Sequence, residues 1–244
     1  MQGAGNAAAA VHVEPSGIVD ESTERSGMEE RIRTVGILGA GRVGTAVARE
    51  AIKAGYEVRI ATSKPVEDIA LIVEIITPGA VAVTAAQAAQ SDLVVLALPL
   101  HKFRTVDPAA LAGRVVIDAM NYWEPTDGAM PEMHAGRGTS EVVQDFLAAS
   151  RVVKTLNHIG YHELETDGRP AGAQDRRALA AAGDDEAARA VVLAFIASLG
   201  YDAVDAGPLA AGRALEPGTE VFAGAHDAAG LGEALERACA GAYA

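Results

Sequence analysis

Three glycines, Gly39, Gly41 and Gly44, stand between an apolar run and a stretch of helical periodicity, with the spacing G-x-G-x-x-G. In a strand–turn–helix unit the first permits the turn, the second lets a pyrophosphate reach the backbone, and the third lets the helix lie close to the sheet. The amino terminus of such a helix attracts phosphate. The spacing predicts a dinucleotide site, with a glycine-rich turn in another kind of α/β protein as the alternative. The residues assigned to this site are Gly39, Ala40, Gly41, Arg42, Val43 and Gly44.

The turn after the second predicted strand indicates which dinucleotide binds. NAD sites usually carry Asp or Glu there, about 20 residues beyond the glycines. This chain has Thr62, Ser63 and Lys64 instead. Two hydroxyl donors and a cation suit a ribose 2′-phosphate, and Arg42 could add a second cation. We therefore expect NADP rather than NAD, with a polar loop and a solvated lysine as the alternative.

The elements that must position these residues alternate between strand and helix. Predicted strands cover residues 35–38, 57–61, 80–84, 92–97, 115–118, 152–156, 177–182 and 202–205. Predicted helices cover residues 44–54, 65–76, 140–149 and 185–199, with a weak one at 232–239. This order predicts an α/β fold, a Rossmann-type doubly wound parallel sheet with a smaller carboxyl-terminal α/β part.

Composition divides the chain and excludes some partners. We expect a disordered acidic tail at residues 1–31, an NADP-binding Rossmann domain at 32–160, and a small carboxyl-terminal part at 161–244 for acceptor or dimer contacts. The formal charge of −13 over 244 residues makes nucleic acid an improbable partner. No membrane span or signal-peptide pattern is visible, and the single Cys239 excludes a disulfide within one chain. We expect a cytoplasmic protein whose partners are small-molecule cofactors.

Several motifs beyond the glycine turn resemble those of one family. The stretches are DLVVLALP at residues 92–99, VVIDAMN at 115–121, VKTLNHIG at 153–160, AGDD at 182–185, DAGPL at 205–209 and RALEP at 213–217. With the glycine turn and the turn at 62–64, they make residues 34–222 resemble the NADPH-dependent reductases of the deazaflavin coenzyme F420, also called F420-dependent NADP oxidoreductases.

The resemblance implies a Rossmann domain that binds NADP, with coenzyme F420 as the co-substrate in a cleft against the smaller part. On the family pattern Leu98 and Pro99 flank the adenine or the nicotinamide, and Asn157 borders the stacked rings. Asn121 ends the fifth strand, where open sheets bind ligands, or else caps a turn. We expect a homodimer. The cofactor residues added here are Ala97, Leu98, Pro99, Asn121 and Asn157.

Hydride transfer between two bound cofactors needs alignment and a dry cavity rather than a protein acid or base, so no catalytic residue is assigned. Asn157 and His158 could orient the rings, with a structural His158 as the alternative. His158 and His162 lack an accompanying Cys or carboxylate cluster, so we expect no metal site. Tyr122 and Trp123 could form an aromatic wall for the acceptor or could pack under a loop.

Two departures from the family pattern leave other functions open. The stretch YWEP at residues 122–125 replaces a plainer Asn-Pro continuation, and the chain after Pro217 lacks an apolar closing helix. One alternative is an NADPH-dependent imine reductase of the pyrroline-5-carboxylate reductase type. We rank it lower because the part after Gly160 is short and contains strand signals. The other alternative is a non-catalytic NADP(H)-binding redox sensor.

Overall fold

The strands form one eight-stranded sheet with the order β3-β2-β1-β4-β5-β6-β7-β8. The computed structural model describes residues 32–134 and 136–241, so the tail expected at 1–31 lies outside the described residues. The strands are β1 (Thr34–Leu38), β2 (Glu57–Ala61), β3 (Val81–Ala82), β4 (Leu93–Leu96), β5 (Val115–Asp118), β6 (Arg151–Lys154), β7 (Ala178–Gly183) and β8 (Asp202–Gly207). Strands β1 to β6 pair in parallel, so their carboxyl ends share one edge.

Helices cover both faces of this sheet. In the described part they are α1 (Arg42–Lys53), α2 (Val66–Ile76), α3 (Ala85–Ala88), α4 (Glu124–Asp127), α5 (Thr139–Phe146), α6 (Tyr161–Thr166), α7 (Glu186–Ser198) and α8 (Ala228–Gly241), with 3-10 segments at Leu100–Thr105, Pro131–His134 and Leu209–Leu215. One core lies between the sheet and α1, α2, α6 and α7, a second lies on the side of α3 and α5, and a smaller third one joins β7 to α8 and the last 3-10 segment. The Rossmann-type fold class is confirmed.

The last two strands extend the same sheet. Strand β7 pairs antiparallel with β6, through Val153 with Gly183 and Lys154 with Ala182, and β8 pairs in parallel with β7. Because β7 runs in the opposite direction, its amino end lies at the same edge as the carboxyl end of β6. The smaller carboxyl-terminal part therefore continues the sheet toward one side. The functional boundary that we placed at residue 160 stays a prediction.

The sequence patterns missed the short elements at the carboxyl edge of the sheet. Helix α6 is one of them, although its start carries a local signal: the Glu163 side chain accepts a hydrogen bond from the backbone N–H of Gly160 at 3.2 Å. A carboxylate that returns to the residue before a helix is typical of a helix start. Strand β3 is also shorter than expected. None of the described helices has both the length and the apolar character needed to cross a membrane.

Candidate cofactor and acceptor site

The turn between β1 and α1 requires glycine at its first and last positions. Gly39 has φ +119°, and a Cβ there would lie 2.3 Å from the carbonyl oxygen of Ala97, at the end of β4. A Cβ on Gly44 would lie 2.0 Å from the carbonyl oxygen of Gly39. A Cβ on Gly41, by contrast, would have no atom of residues 32–134 or 136–241 within 4 Å. Gly39 and Gly44 are thus required by packing within the protein, whereas the backbone at Gly41 faces open space.

Helix α1 presents its amino terminus at this open position. Gly41 is the residue before the helix, with φ −78°, and no side chain in the described part of the chain caps the first turn. The Oγ1 of Thr45 donates to the carbonyl oxygen of Gly41 at 3.0 Å, which holds the turn against the first turn of the helix. Uncapped N–H groups and the helix dipole favour an anion here. This is the geometry that a pyrophosphate needs.

A cavity of about 390 Å³ opens beside the turn, at the ends of β1, β2 and β4. The sheet order reverses between β1 and β4, and open α/β sheets bind ligands at such a switch point. The predicted site residues that line it are Gly39, Ala40, Gly41, Thr62, Ser63, Ala97, Leu98 and Pro99. The predicted residues that do not line it are Arg42, Val43, Gly44, Lys64, Asn121 and Asn157.

The polar loop after β2 forms one wall of this cavity. Thr62 and Ser63 line it, and the backbone N–H of Lys64 donates to Oγ1 of Thr62 at 3.1 Å. The exposed side chain of Lys64 follows directly. Sequence reasoning missed Lys102, which lines the cavity from the 3-10 segment after β4. Two hydroxyls therefore line the cavity from the loop after β2, and a lysine lines it from the segment after β4.

Arg42 contacts a different element from the one we expected. Its guanidinium donates to the Tyr161 hydroxyl at 3.3 Å and lies 5.5 Å from the centre of that ring. Tyr161 is the first residue of α6, so the contact joins the glycine turn to the segment after β6. In the structure Arg42 therefore joins the starts of α1 and α6 at the carboxyl edge of the sheet.

Asn121 and Asn157 meet across the ends of β5 and β6. Asn121 Nδ2 donates to the Asn157 carbonyl oxygen at 2.7 Å, and Asn157 Nδ2 donates to Asn121 Oδ1 at 3.0 Å. Asn157 Nδ2 also donates to the carbonyl oxygen of Leu215 at 2.6 Å. Asn157 is buried and both of its amide hydrogens are used, whereas half-buried Asn121 has one amide hydrogen with no acceptor among the described residues. Asn121 is thus the member of the pair that can contact a ligand.

His158 is held inside the protein behind this pair. Its Nε2 accepts the backbone N–H of Ala180 at 3.1 Å, and its Nδ1 lies 3.4 Å from Asn157 Oδ1. Burial lowers the pKa of His158 to about 3, with repulsion from Arg177 and other cations adding to the effect. The imidazole is therefore neutral and carries its hydrogen on Nδ1. Among residues 32–134 and 136–241 no group of three or more His, Cys, Asp or Glu side chains could hold a metal ion.

A buried ion pair fixes the backbone that leads to Asn121. The side chains of Lys154 and Asp118 are fully buried, 3.5 Å apart, at the ends of β6 and β5. Lys154 Nζ donates to the carbonyl oxygen of Met120 at 2.5 Å, and Asp118 Oδ1 accepts the Met120 N–H at 2.9 Å. Ser140 donates to the other oxygen of Asp118 at 2.6 Å. Both polar groups of residue 120 are therefore fixed immediately before Asn121.

The two aromatic residues after Asn121 have different environments. The Tyr122 hydroxyl donates to the carbonyl oxygen of Gly128 at 2.9 Å and accepts the Met130 N–H at 3.3 Å, so it braces its own loop. Trp123 is 49% exposed. Its ring contacts Phe222 edge-on, with centroids 5.9 Å apart. Tyr122 therefore has a packing role, and Trp123 with Phe222 forms an open aromatic surface beside the Asn121–Asn157 pair.

Part of the chain matches a family of known proteins. Residues 34–122 match the family described as NADP oxidoreductase, coenzyme F420-dependent. The family resemblance is confirmed over these residues. No curated protein matches the chain.

Solved structures extend the likeness beyond the matched residues. A candidate F420-dependent NADP reductase from Arthrobacter sp. FB24 is 27% identical, with a TM-score of 0.63 over 75% of this chain and 88% of that one. A hypothetical protein from Sinorhizobium meliloti is 25% identical, with a TM-score of 0.68 over 82% of this chain and 97% of that one. A reductive aminase from Aspergillus terreus shares the fold, with 17% identity and a TM-score of 0.51. The alignment covers 87% of this chain and 61% of that one. The comparisons support an NADP-dependent oxidoreductase.

Proposed function

We propose that this protein transfers a hydride between NADP(H) and a deazaflavin of the F420 type or a flavin-like acceptor. The observation that carries the proposal is the open backbone at Gly41, where the uncapped amino terminus of α1 meets the 390 Å³ cavity. The family match and the Arthrobacter structure support the choice of acceptor.

The residues present fit NADP. A Cβ at Gly41 would project into space that nothing in the described protein fills, as a pyrophosphate site requires. The cavity walls at Leu98 and Pro99 are apolar, which suits an adenine or ribose face. Thr62, Ser63 and Lys64 would hold the 2′-phosphate. Bound NADPH would supply the hydride, and the protein would supply position and exclusion of water.

The acceptor would lie at the ends of β5 and β6. Asn121 offers its free amide hydrogen there, and Trp123 with Phe222 offers a face on which a planar ring can stack. Asn157 would act through Asn121, because its own amide hydrogens are used internally. We therefore assign Asn121 to ligand contact and both Asn157 and buried His158 to positioning.

Turnover tests the proposal. Purified protein mixed with NADPH and F420 should bleach the deazaflavin absorbance, and reduced F420 with NADP⁺ should restore it. A redox sensor would bind NADPH without turnover, and an imine reductase would oxidise NADPH with cyclic imines but not with F420. NADPH binding without any change in F420 absorbance would therefore remove the proposed acceptor while leaving the cofactor assignment.

We also propose a cytoplasmic homodimer. Its structural support is α2, which is apolar on both sides: besides its inner residues, Leu71, Ile72, Ile75 and Ile76 are 44–68% exposed. An exposed apolar stripe of this size is typical of a protein–protein contact, and a second copy would cover it. Light scattering should give twice the chain mass, and Leu71→Glu with Ile75→Glu should halve it without changing NADPH affinity. A wild-type monomer would contradict the proposal.

A further inference from the structure

His101 and Asp127 form an imidazole–carboxylate pair that none of the roles above uses. The Asp127 side chain is only 2% exposed, and its Oδ1 lies 2.8 Å from Nδ1 of His101. The same oxygen accepts the backbone N–H of His101 at 3.1 Å, and Oδ2 accepts the backbone N–H of Trp123 at 2.8 Å. Both carboxylate oxygens are therefore engaged, and the pair joins the loop after β4 to the loop after β5.

The surroundings of Asp127 keep it ionised. Burial by itself would raise the pKa of Asp127, but hydrogen bonds from the Trp123 N–H and from the His101 ring and backbone outweigh burial and lower it. A carboxylate can only accept hydrogen bonds, so Nδ1 of His101 must carry the hydrogen. Nε2 is then the atom that gains and loses a proton. Within residues 32–134 and 136–241 it has no hydrogen-bond partner, and the ring is 36% exposed.

The pair lies where the reacting rings are expected. His101 stands between Pro99 and Lys102, which line the dinucleotide cavity, in the 3-10 segment that follows β4. Asp127 holds the N–H of Trp123, whose ring forms the open aromatic surface with Phe222. The imidazole is thus attached to both proposed binding regions, at the edge where β4 and β5 end.

We propose that His101 is the proton donor and acceptor that accompanies hydride transfer, with Asp127 as its positioning residue; this rests on the proposed function. His101 would give the proton on Nε2 to the acceptor nitrogen that gains electron density as the hydride, with its electron pair, reaches the acceptor carbon. The acceptor is reduced by two electrons, NADPH is oxidised to NADP⁺, and one proton from solvent restores the imidazolium. In the opposite direction neutral His101 takes that proton. General acids of this kind typically contribute 10²–10⁴-fold to a rate.

Three other charged residues lie near the pair along the chain. Lys102 lines the cavity, and Arg104 pairs with Glu132 at 3.0 Å. Glu124 begins the short helix α4 that ends at Asp127 and is exposed. Asp127 is therefore the charged group that contacts the imidazole directly, at 2.8 Å.

His101→Asn separates proton transfer from loop bracing. The Asn amide can still donate to Asp127 from nearly the position of Nδ1, but an amide cannot act as a general acid or base. We expect an unchanged melting temperature, unchanged NADPH affinity, and a kcat for F420 reduction lowered by roughly 100-fold. The part of the pH dependence of kcat that the imidazole causes should disappear. Arg104→Asn, on the same 3-10 segment, is the matched control and should retain the wild-type pH profile.

A second readout requires no turnover. Nitrogen-15 NMR of the full-length protein should show His101 as the Nδ1–H tautomer in the wild type and as a mixture of tautomers in Asp127→Asn. Its titration midpoint should move when NADP⁺ is added. A wild-type pH profile in His101→Asn, or a midpoint unaffected by both NADP⁺ and F420, would overturn the proposal. Absence of turnover in the wild type would instead reject the proposed acceptor.

Discussion

Asn121 and Asn157 exchange two hydrogen bonds across the ends of two parallel strands, at 2.7 and 3.0 Å. Each residue lies three positions beyond a paired strand residue, Asp118 in β5 or Lys154 in β6, so the contact depends on that register. Asn157 is tied further to the carbonyl oxygen of Leu215, which belongs to the carboxyl-terminal part. One buried amide thus links the predicted cofactor domain to the segment that follows it.

A double-mutant cycle on this pair should show coupling. Asn157→Ala leaves the Leu215 carbonyl and Asn121 without their donor, and we expect a loss of about 1–3 kcal/mol in the free energy of unfolding. Asn121→Ala should cost less because it is half-buried. The double variant should lose about 1 kcal/mol less than the sum, as measured by urea denaturation. Additive losses would mean that the two amides do not act together.

Alanine at Gly41 should affect NADPH binding, whereas alanine at Gly44 should affect the stability of the fold. At Gly41 a Cβ meets no atom of the described protein and φ is −78°, so Gly41→Ala should keep the melting temperature but weaken NADPH binding at least tenfold, about 1.4 kcal/mol. Gly44→Ala places a Cβ 2.0 Å from the Gly39 carbonyl oxygen and should destabilise the protein by about 1–3 kcal/mol. Calorimetric titration and thermal unfolding separate the two effects. Full NADPH affinity in Gly41→Ala would place the pyrophosphate elsewhere.

The preference for NADPH over NADH should depend on Lys64. A charge-assisted hydrogen bond contributes about 1.5–3 kcal/mol, so Lys64→Ala should weaken NADPH binding by roughly 10- to 100-fold and leave NADH binding unchanged. Lys53→Ala is the matched control, because Lys53 lies at the far end of α1 and pairs with Glu50 at 2.7 Å. Titration of each variant with both dinucleotides checks this. A selective loss in Lys102→Ala instead would move the phosphate contact to the other side of the cavity.

The sequence predicts those parts of the site whose cause is local. The glycine turn and the loop at residues 62–64 are contiguous motifs, and the structure brings Gly41, Thr62 and Ser63 to one cavity. Continuous apolar runs also identify the buried strands, because parallel strands covered on both faces are apolar throughout. Local turn chemistry and hydrophobic periodicity are visible in a single sequence.

The contacts that the sequence could not predict join distant segments. Arg42 suits a phosphate by residue type, but the Tyr161 ring lies near it only because α6 packs against α1. His101 and Asp127 are 26 residues apart and meet because β4 and β5 are neighbours in the sheet. Such pairs depend on tertiary packing, and the short helices that carry them have weak patterns of their own.

His158 makes stability depend on pH in a predictable direction. Its pKa falls from 6.5 to about 3 on folding because burial disfavours the charged ring. Below pH 6.5 the unfolded chain therefore takes up a proton that the folded protein refuses, and stability is lost as the pH falls from 6.5 toward 3. Between pH 7 and pH 5 this one group should cost about 2 kcal/mol in the free energy of unfolding.

His158→Gln isolates that contribution. The Gln carbonyl oxygen can accept the Ala180 N–H in place of Nε2, and the amide does not titrate. Urea denaturation at pH 7 and pH 5 should give a smaller loss for the variant than for the wild type, by about 2 kcal/mol. Other titrating groups affect both proteins equally, so the difference belongs to residue 158. Equal losses in the two proteins would show that the imidazole is protonated, or exposed, in the folded state.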